Sequence, residues 1–188
     1  MFEKHSKLDY CNSLYYDLPK YQINRLQHIQ NALARTVVQA QTFQHITPIL
    51  KSLLWLKVSV GIEYKIISLT YKILNTTQPP YFYDLVSIQP PRGHKTHNTR
   101  SSPYVTLIKP SSSLKVTHRS FQYASPHLWN KLPTSLRIPH PNYSSPSHRP
   151  PFEHAGLTCY TLLSPSITFS LFNSELKTYL FRKSYPPP

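Results

Sequence analysis

The stretch VSVGIEYKIISLTYKIL, residues 58–74, decides the fold. Its apolar side chains recur three to four positions apart, at Val58, Ile62, Ile66, Leu69 and Ile73. That spacing is typical of one face of an α-helix. Tyr64 and Tyr71 lie beside this stripe and widen the apolar face. The pattern predicts an amphipathic helix that ends near Asn75, in a fold that is mainly α.

Two helices are predicted before this one at the N-terminal side. Residues 6–17 form a short amphipathic helix that Pro19 closes, because the residue before a proline is pushed out of the α region. From Tyr21 onward the apolar side chains again recur at helical spacing: Ile23, Leu26, Ile29, Leu33 and Val37. The second pattern is the longer of the two and predicts an amphipathic helix with polar residues mostly on its other faces.

Two further helical signals flank residues 58–74 directly. Residues 45–48, which read HITP, predict the start of a helix that continues to Trp55, in which Thr47 accepts a hydrogen bond from a free backbone N–H and Pro48 lies in the first turn. Residues 81–86 predict one more helical turn. Together these elements define a helical domain over residues 1–86.

Residues 87–138 form a basic extension with weaker structural signals. Valine and threonine in residues 104–108 and 114–121 predict one or two short strands. Residues 126–132, which read PHLWNKL, predict a brief helix that ends before Pro133.

The last part of the chain divides at about residue 168. Residues 139–167 have the Pro- and Ser-rich composition of a disordered linker or insertion. Residues 168–188 predict a final amphipathic helix and tail. The side chains expected to face inward are Leu171, Phe172, Leu176, Tyr179 and Leu180.

The composition indicates a basic, proline-rich protein with a helical portion joined to a poorly folded one. The chain has 188 residues, 19 prolines against 3 glycines, and a formal charge of +14 at pH 7. Each proline removes a backbone donor and interrupts regular structure. Nucleic acid is the commonest polyanion to meet so positive a surface, and a basic tail with no specific partner is the alternative.

Cysteine usage and hydropathy indicate a soluble intracellular protein, either nuclear or cytoplasmic. Cys11 and Cys159 lie far apart and outside any CxxC pairing, which fits a reducing compartment. The N-terminal residues have no apolar core of a signal peptide. The most apolar stretch, residues 49–60, contains Lys51 and Lys57 and is too short to span a membrane.

The sequence LYYDL, residues 14–18, raises the question of a polymerase metal site, because Asp17 follows an aromatic residue. Two-metal catalysis needs carboxylates that converge on one point, and the residues after Asp17 are Leu18 and Pro19. The other acidic residues are scattered: Glu3, Asp9, Glu63, Asp84, Glu153 and Glu175. We therefore interpret Asp17 as part of a turn and expect no catalytic residue, no metal site and no cofactor.

Binding is the remaining interpretation. Basic, histidine and aromatic residues alternate from Arg92 to Tyr123, which suits a surface that neutralises phosphates and stacks on unpaired bases. The alternative is that Phe121, Leu128 and Trp129 form a small core while the charges are merely solvated.

Several blocks of sequence resemble one known family in the same order and at the same spacing. They are LDYCNSLYYDLPKYQINRLQHIQNALAR (8–35), HITPILKSLLWLKV (45–58), IEYKIISLTYKILN (62–75) and YASPHLWNKLP (123–133). The chain resembles the region downstream of the catalytic palm in reverse transcriptases of non-LTR (LINE-type), jockey-like retrotransposons. The similarity covers residues 8–137 and 169–185, and residues 139–165 depart from it as an insertion.

The resemblance implies that residues 1–86 correspond to the thumb of an RNA-directed DNA polymerase and the rest to its C-terminal extension. By that analogy the thumb-like bundle holds an RNA–DNA or DNA duplex by its backbone. The catalytic aspartates of the family lie in motifs that precede this region, so none is carried over. The expected function is that of a truncated fragment of a transposable-element reverse transcriptase, which binds nucleic acid nonspecifically and is not an enzyme alone.

The candidate phosphate-contacting residues come from the second helix and from the extension. They are Lys20, Arg25, His28, Arg35, Arg92, Lys95, Arg100, Lys115 and Arg119. No membrane and no small-molecule substrate is expected as a partner; the missing palm domain or a second copy of the chain are further candidates. The alternative is an inert remnant or a helical protein-interaction module with no retained activity.

Overall fold

A computed structural model describes residues 10–76, 80–89, 104–111, 114–138 and 168–186. The α-helices of these segments are α1 (Lys20–Val38), α2 (Ile46–Ser52), α3 (Val58–Thr76), α4 (Pro80–Tyr83), α5 (Phe121–Trp129) and α6 (Phe169–Ser184). Short 3₁₀ turns occupy Asn12–Tyr15, Lys115–Arg119 and Thr134–Leu136. The mainly helical class is confirmed. The predicted linker, residues 139–167, lies outside the described residues.

Helix α3 is the centre of the main core, and α5 and α6 both pack against it. The rings of Tyr71 on α3 and Phe172 on α6 stack with their centroids 3.7 Å apart. Trp129 at the end of α5 is fully buried, and its ring centroid lies 6.4 Å from that of Phe172. The stretch that predicted the fold therefore supplies the face on which the later helices pack.

The segment 104–111 is held by a backbone bridge to Ile88 and by side-chain hydrogen bonds from the end of α5. Ile88 and Leu107 form an isolated antiparallel bridge. The side chain of Asn130 pairs with Leu107 in both directions, since Oδ1 accepts from the Leu107 N–H at 3.0 Å and Nδ2 donates to the Leu107 carbonyl at 2.9 Å. The indole N–H of Trp129 donates to the Val105 carbonyl at 3.0 Å. In the described part of this segment, isolated bridge residues at Tyr104 and Leu107 take the place of the strand predicted over residues 104–108.

The second predicted strand, residues 114–121, is wrong. Lys115–Arg119 is a 3₁₀ turn, and α5 begins directly after it at Phe121. The brief helix predicted from Pro126 is correct in type, but it starts five residues earlier and contains Pro126 in its interior. Burial of Ala124 and Leu128 against α3 outweighs both the β propensity of the valine and threonine and the lost N–H of the proline.

Two details of the first half also differ from the prediction. Cys11 has φ 57°, so a continuous helix over residues 6–17 is excluded, and among the described residues 10–17 the helical part is Asn12–Tyr15, a 3₁₀ turn. Helix α2 begins at Ile46, within the predicted start at residues 45–48, but the residue that precedes it is His45, so Thr47 lies inside the helix. The helix ends at Ser52 rather than at residue 55. Pro48 lies in the first turn as predicted, where its missing N–H has no helical partner to lose.

Helix α6 closes the main core. Phe172, Leu176 and Leu180 are buried as predicted, and Tyr179 is half-buried. Leu171, which is predicted to face inward, is 49% exposed, because at 3.6 residues per turn it lies on a different side of α6 from the buried Phe172, Leu176 and Leu180. Within the described residues no helix is both long and apolar enough to cross a membrane.

Candidate nucleic-acid interface

The buried side of α1 is fixed by two glutamine side chains. Gln27 Oε1 accepts from the backbone N–H of Val58 at 2.9 Å, which satisfies a donor at the start of α3. Gln30 is buried, and its amide donates to the Leu56 carbonyl at 2.9 Å. Ala34 is fully buried on the same side against α2. These contacts set the rotation of α1 about its axis and thereby decide which side chains face solvent.

The solvent-facing surface of α1 is basic. Lys20, Arg25 and His28 are exposed, and at 3.6 residues per turn they lie with Arg35 within an arc of about 140°. Tyr21 lies inside this arc and is 61% exposed. Helix α1 contains no acidic residue. We call the surface formed by Lys20, Tyr21, Arg25 and His28 the α1 basic face.

Arg35 differs from the other three basic residues of α1. It is only half-exposed, and its Nη2 donates to the Gln44 carbonyl at 3.3 Å. The guanidinium therefore helps to hold the connection between α1 and α2. Because that hydrogen bond occupies part of its donor set, Arg35 is a weaker candidate for phosphate contact than the sequence indicated.

Arg119 is brought to the N-terminal end of α1 from 102 positions further along the chain. Its Nε donates to the Asp17 carbonyl at 3.2 Å, and Asp17 lies three residues before Lys20. Asp17 itself has φ 55° and belongs to a turn between the first 3₁₀ turn and α1, as predicted. The prediction listed Arg119 among the candidate residues of the extension, and this contact places it beside the turn that leads into α1; its contact with phosphate stays a prediction.

The remaining predicted residues cannot be placed in the same way. Lys115 lies in the 3₁₀ turn that ends at Arg119, but its side chain is outside the described part of the structure. Arg92, Lys95 and Arg100 all lie outside the described residues. Their role in phosphate contact stays a prediction.

A second group of side chains near Arg119 was not predicted as a unit. The rings of His118 and Tyr123 stack with centroids 4.2 Å apart and planes 13° from parallel. The ring of His127 follows, 6.3 Å from that of Tyr123 and 17° from parallel. We call His118, Tyr123 and His127 the ring column. Tyr123 and His127 are four residues apart on α5, the spacing that places side chains on one helix face.

Two lysines flank the ring column. Lys109 Nζ lies 5.6 Å from the centroid of Tyr123, within the range of a cation–π contact. Lys131 Nζ lies 2.8 Å from Nε2 of His127. Burial lowers the pKa of His127, and Lys131, Lys109 and His118 lower it further, whereas Asp17 acts in the opposite direction. The column therefore carries an excess of positive charge around one imidazole.

Among the described residues, no three His, Cys, Asp or Glu side chains gather as they would around a metal ion. The acidic residues in these segments are Asp17, Glu63, Asp84 and Glu175. Tyr16, next to Asp17, packs against the main core, and burial together with the charges of Asp17 and Glu63 raises its pKa to about 12. In this region the aromatic residue before Asp17 contributes to packing.

Comparison with protein-family models, with curated proteins and with solved structures gave no match for this chain. A proposal for its function therefore depends on the geometry of the α1 basic face and of the ring column.

Proposed function

We propose that the chain is a nucleic-acid-binding fragment of the thumb and C-terminal extension of a non-LTR retrotransposon reverse transcriptase, and that it is not catalytic alone. The binding is to the phosphate backbone of an RNA–DNA or DNA duplex and does not depend on base sequence. The proposal of origin is supported by the resemblance of residues 8–137 and 169–185. The proposal of binding is supported by the α1 basic face.

The observation that carries the proposal is that the basic side chains of α1 are exposed to solvent, while other residues of this helix make its packing contacts. Its amides and small residues face α2 and α3, whereas Lys20, Arg25 and His28 project to solvent on one side. Basic side chains aligned along a helix can neutralise successive phosphates and release the counterions condensed on them. Tyr21 adds an exposed ring to the same surface. Such a face holds a backbone without reading bases.

The test replaces the basic face while keeping the helix. The variant Lys20→Gln, Arg25→Gln, His28→Gln removes the charges and retains good helix propensity. Fluorescence anisotropy with a labelled 20-base-pair duplex at low salt should show affinity weakened by at least about tenfold, because the counterion-release contribution of these contacts is lost. Duplexes of unrelated sequence should be weakened equally.

The matched control is Lys65→Gln, Arg182→Gln. These residues are exposed on α3 and α6 rather than on α1, and their substitution removes two positive charges, as the α1 variant does with histidine neutral at pH 7. The control should retain affinity within about twofold. Equal weakening in both variants would mean that net charge alone governs binding and would reject the α1 basic face. Metal-dependent primer extension by the wild-type chain would contradict the proposal that it is not catalytic alone.

A second candidate is a helical protein-interaction module. It is favoured by large apolar side chains that remain exposed: Tyr10, Leu14, Phe43 and Leu54, of which Phe43 is 81% exposed. Such side chains would have packed on a partner domain or on a second copy. Sedimentation velocity separates the candidates, since this one predicts self-association in the absence of nucleic acid.

A further inference from the structure

His127 is held in its neutral form by Lys131. A lysine ammonium has donors only, so Nε2 of His127 must be the acceptor in their 2.8 Å contact. The ring proton is therefore on Nδ1, which is buried and has no hydrogen-bond partner among the described residues. The ring column thus contains a neutral imidazole whose Nδ1 has no hydrogen-bond partner among the described residues. A protonated imidazole could not accept from Lys131, because both of its ring nitrogens would carry protons.

The charged groups around His127 come from four parts of the fold. Lys131 follows α5, Lys109 lies in segment 104–111, His118 lies in the 3₁₀ turn before α5, and Asp17 precedes α1. Asp17 alone among these groups favours the protonated imidazole. The excess of positive over negative groups around His127 favours an anionic partner, because a bound phosphate would attract both lysines and stabilise a protonated imidazole.

The ring column is also connected to the α1 basic face. Asp17 acts on His127, its carbonyl accepts from Arg119, and Lys20 follows three residues later. The positive surface therefore extends from α1 through Arg119 towards the column. A polynucleotide fits such a surface better than a single phosphorylated residue, because its successive phosphates can neutralise the α1 basic face and the ring column at the same time.

We propose that the ring column, with Lys109 and Lys131, is a second phosphate-contacting surface for a polynucleotide, and that phosphate binding there transfers a proton from solvent to His127. The phosphate draws the ammonium of Lys131 away from Nε2, and Nε2 then takes up a proton and donates to the phosphate. This inference rests on the proposed nucleic-acid binding and adds its dependence on pH.

The sign of the pH dependence is set by the difference between the free and the bound state. In the free chain His127 has a pKa below its ordinary value of about 6.5. In the complex the phosphate raises that pKa, so the complex binds more protons than the free chain. Affinity must therefore increase as the pH falls through the pKa of the complex, by up to about tenfold per pH unit for one proton.

The experiment compares affinity at pH 7.5 and at pH 5.8 with the same labelled duplex and the same salt. Wild type should bind about threefold or more tightly at the lower pH. His127→Gln keeps an acceptor for Lys131 but cannot be protonated, so the ratio between its affinities at the two pH values should fall well below that of wild type. His45→Gln, a substitution at an exposed histidine before α2, should retain the increase.

The same series distinguishes failure of this inference from failure of the proposed function. Lys20→Gln, Arg25→Gln should weaken binding at both pH values and keep the ratio between them. If His127→Gln keeps the wild-type ratio, the inference is wrong and the α1 basic face stands. If the α1 variant has no effect while His127→Gln abolishes the ratio, the α1 assignment is wrong and the column stands. No binding by wild type rejects both.

A direct readout is the imidazole of His127 itself. Its ring proton resonance, assigned by comparison with His127→Gln, should titrate at a higher pH in the presence of the oligonucleotide than in its absence. An unchanged midpoint would overturn the proposal. A shift with anionic phospholipid vesicles but not with the oligonucleotide would also overturn it, because the partner would then be a lipid surface.

Discussion

At the scale of single residues, the region around Asp17 illustrates how packing and charge combine. Tyr16 packs against the main core while Asp17 is exposed in the adjacent turn. A phenolate at Tyr16 would be both desolvated and close to the carboxylates of Asp17 and Glu63. The folded chain therefore holds the phenol proton more strongly than an unfolded chain does, whose tyrosines titrate near 10.

This difference predicts a loss of stability at high pH. The contribution of Tyr16 is fully present below pH 10 and is lost as the pH rises towards about 12, its pKa in the folded chain. Denaturant unfolding at pH 9 and at pH 11 should show a larger loss of free energy for wild type than for Tyr16→Phe. Tyr21→Phe, which removes an exposed phenol, should behave as wild type. Equal losses in Tyr16→Phe and wild type would contradict the burial of this phenol.

At the scale of elements, the junction between α5 and segment 104–111 depends on one side-chain amide. Asn130→Ala leaves the Leu107 N–H and carbonyl without their partner and should destabilise the fold by about 1–3 kcal/mol. Asn24→Ala, at an exposed position of α1, should change stability by less than about 0.5 kcal/mol. Urea unfolding followed by circular dichroism measures both. Equal stability of the two variants would show that the segment is held by other contacts.

Helices could be predicted where apolar residues recur at helical spacing along the element itself. Helices α1 and α3 follow from apolar spacing. The stripe of α3 is largely buried, whereas on α1 Ile29 is 51% exposed and the buried residues are Gln30 and Ala34. The strand predicted over residues 114–121 failed because β propensity is decided by available pairing partners, and α5 packs on α3 instead. The pairing of Asn130 with Leu107 could not be read from sequence, since a side-chain amide 23 residues away can imitate a strand partner.

The ring column was missed for a related reason. Tyr123, His127 and Lys131 are spaced four apart, which would have indicated one helix face if the helix had been predicted to start before Pro126. Interpreting Pro126 as a helix start separated Tyr123 from His127. The contact of Arg119 with Asp17 is a tertiary contact over 102 positions, and no local pattern predicts it.

At the scale of the whole molecule, one core contains residues from the predicted helical domain, the basic extension and the C-terminal helix. Val105, Trp129 and Leu176 belong to the same buried cluster as Ile66 of α3. The charge of +14 is therefore carried by a chain in which helical domain and extension share packing in their described parts. This arrangement gives the α1 basic face and Arg119 a fixed relation, which a flexible basic tail would lack.

The most direct test of nucleic-acid binding by the α1 basic face is the salt dependence of duplex affinity. Plotted as log Kd against log salt, wild type should give a slope corresponding to several released counterions, at about 0.9 per phosphate contact. Lys20→Gln, Arg25→Gln, His28→Gln should lower that slope by about 2. A wild-type affinity that does not change with salt, or an unchanged slope in the variant, would contradict duplex binding by this face.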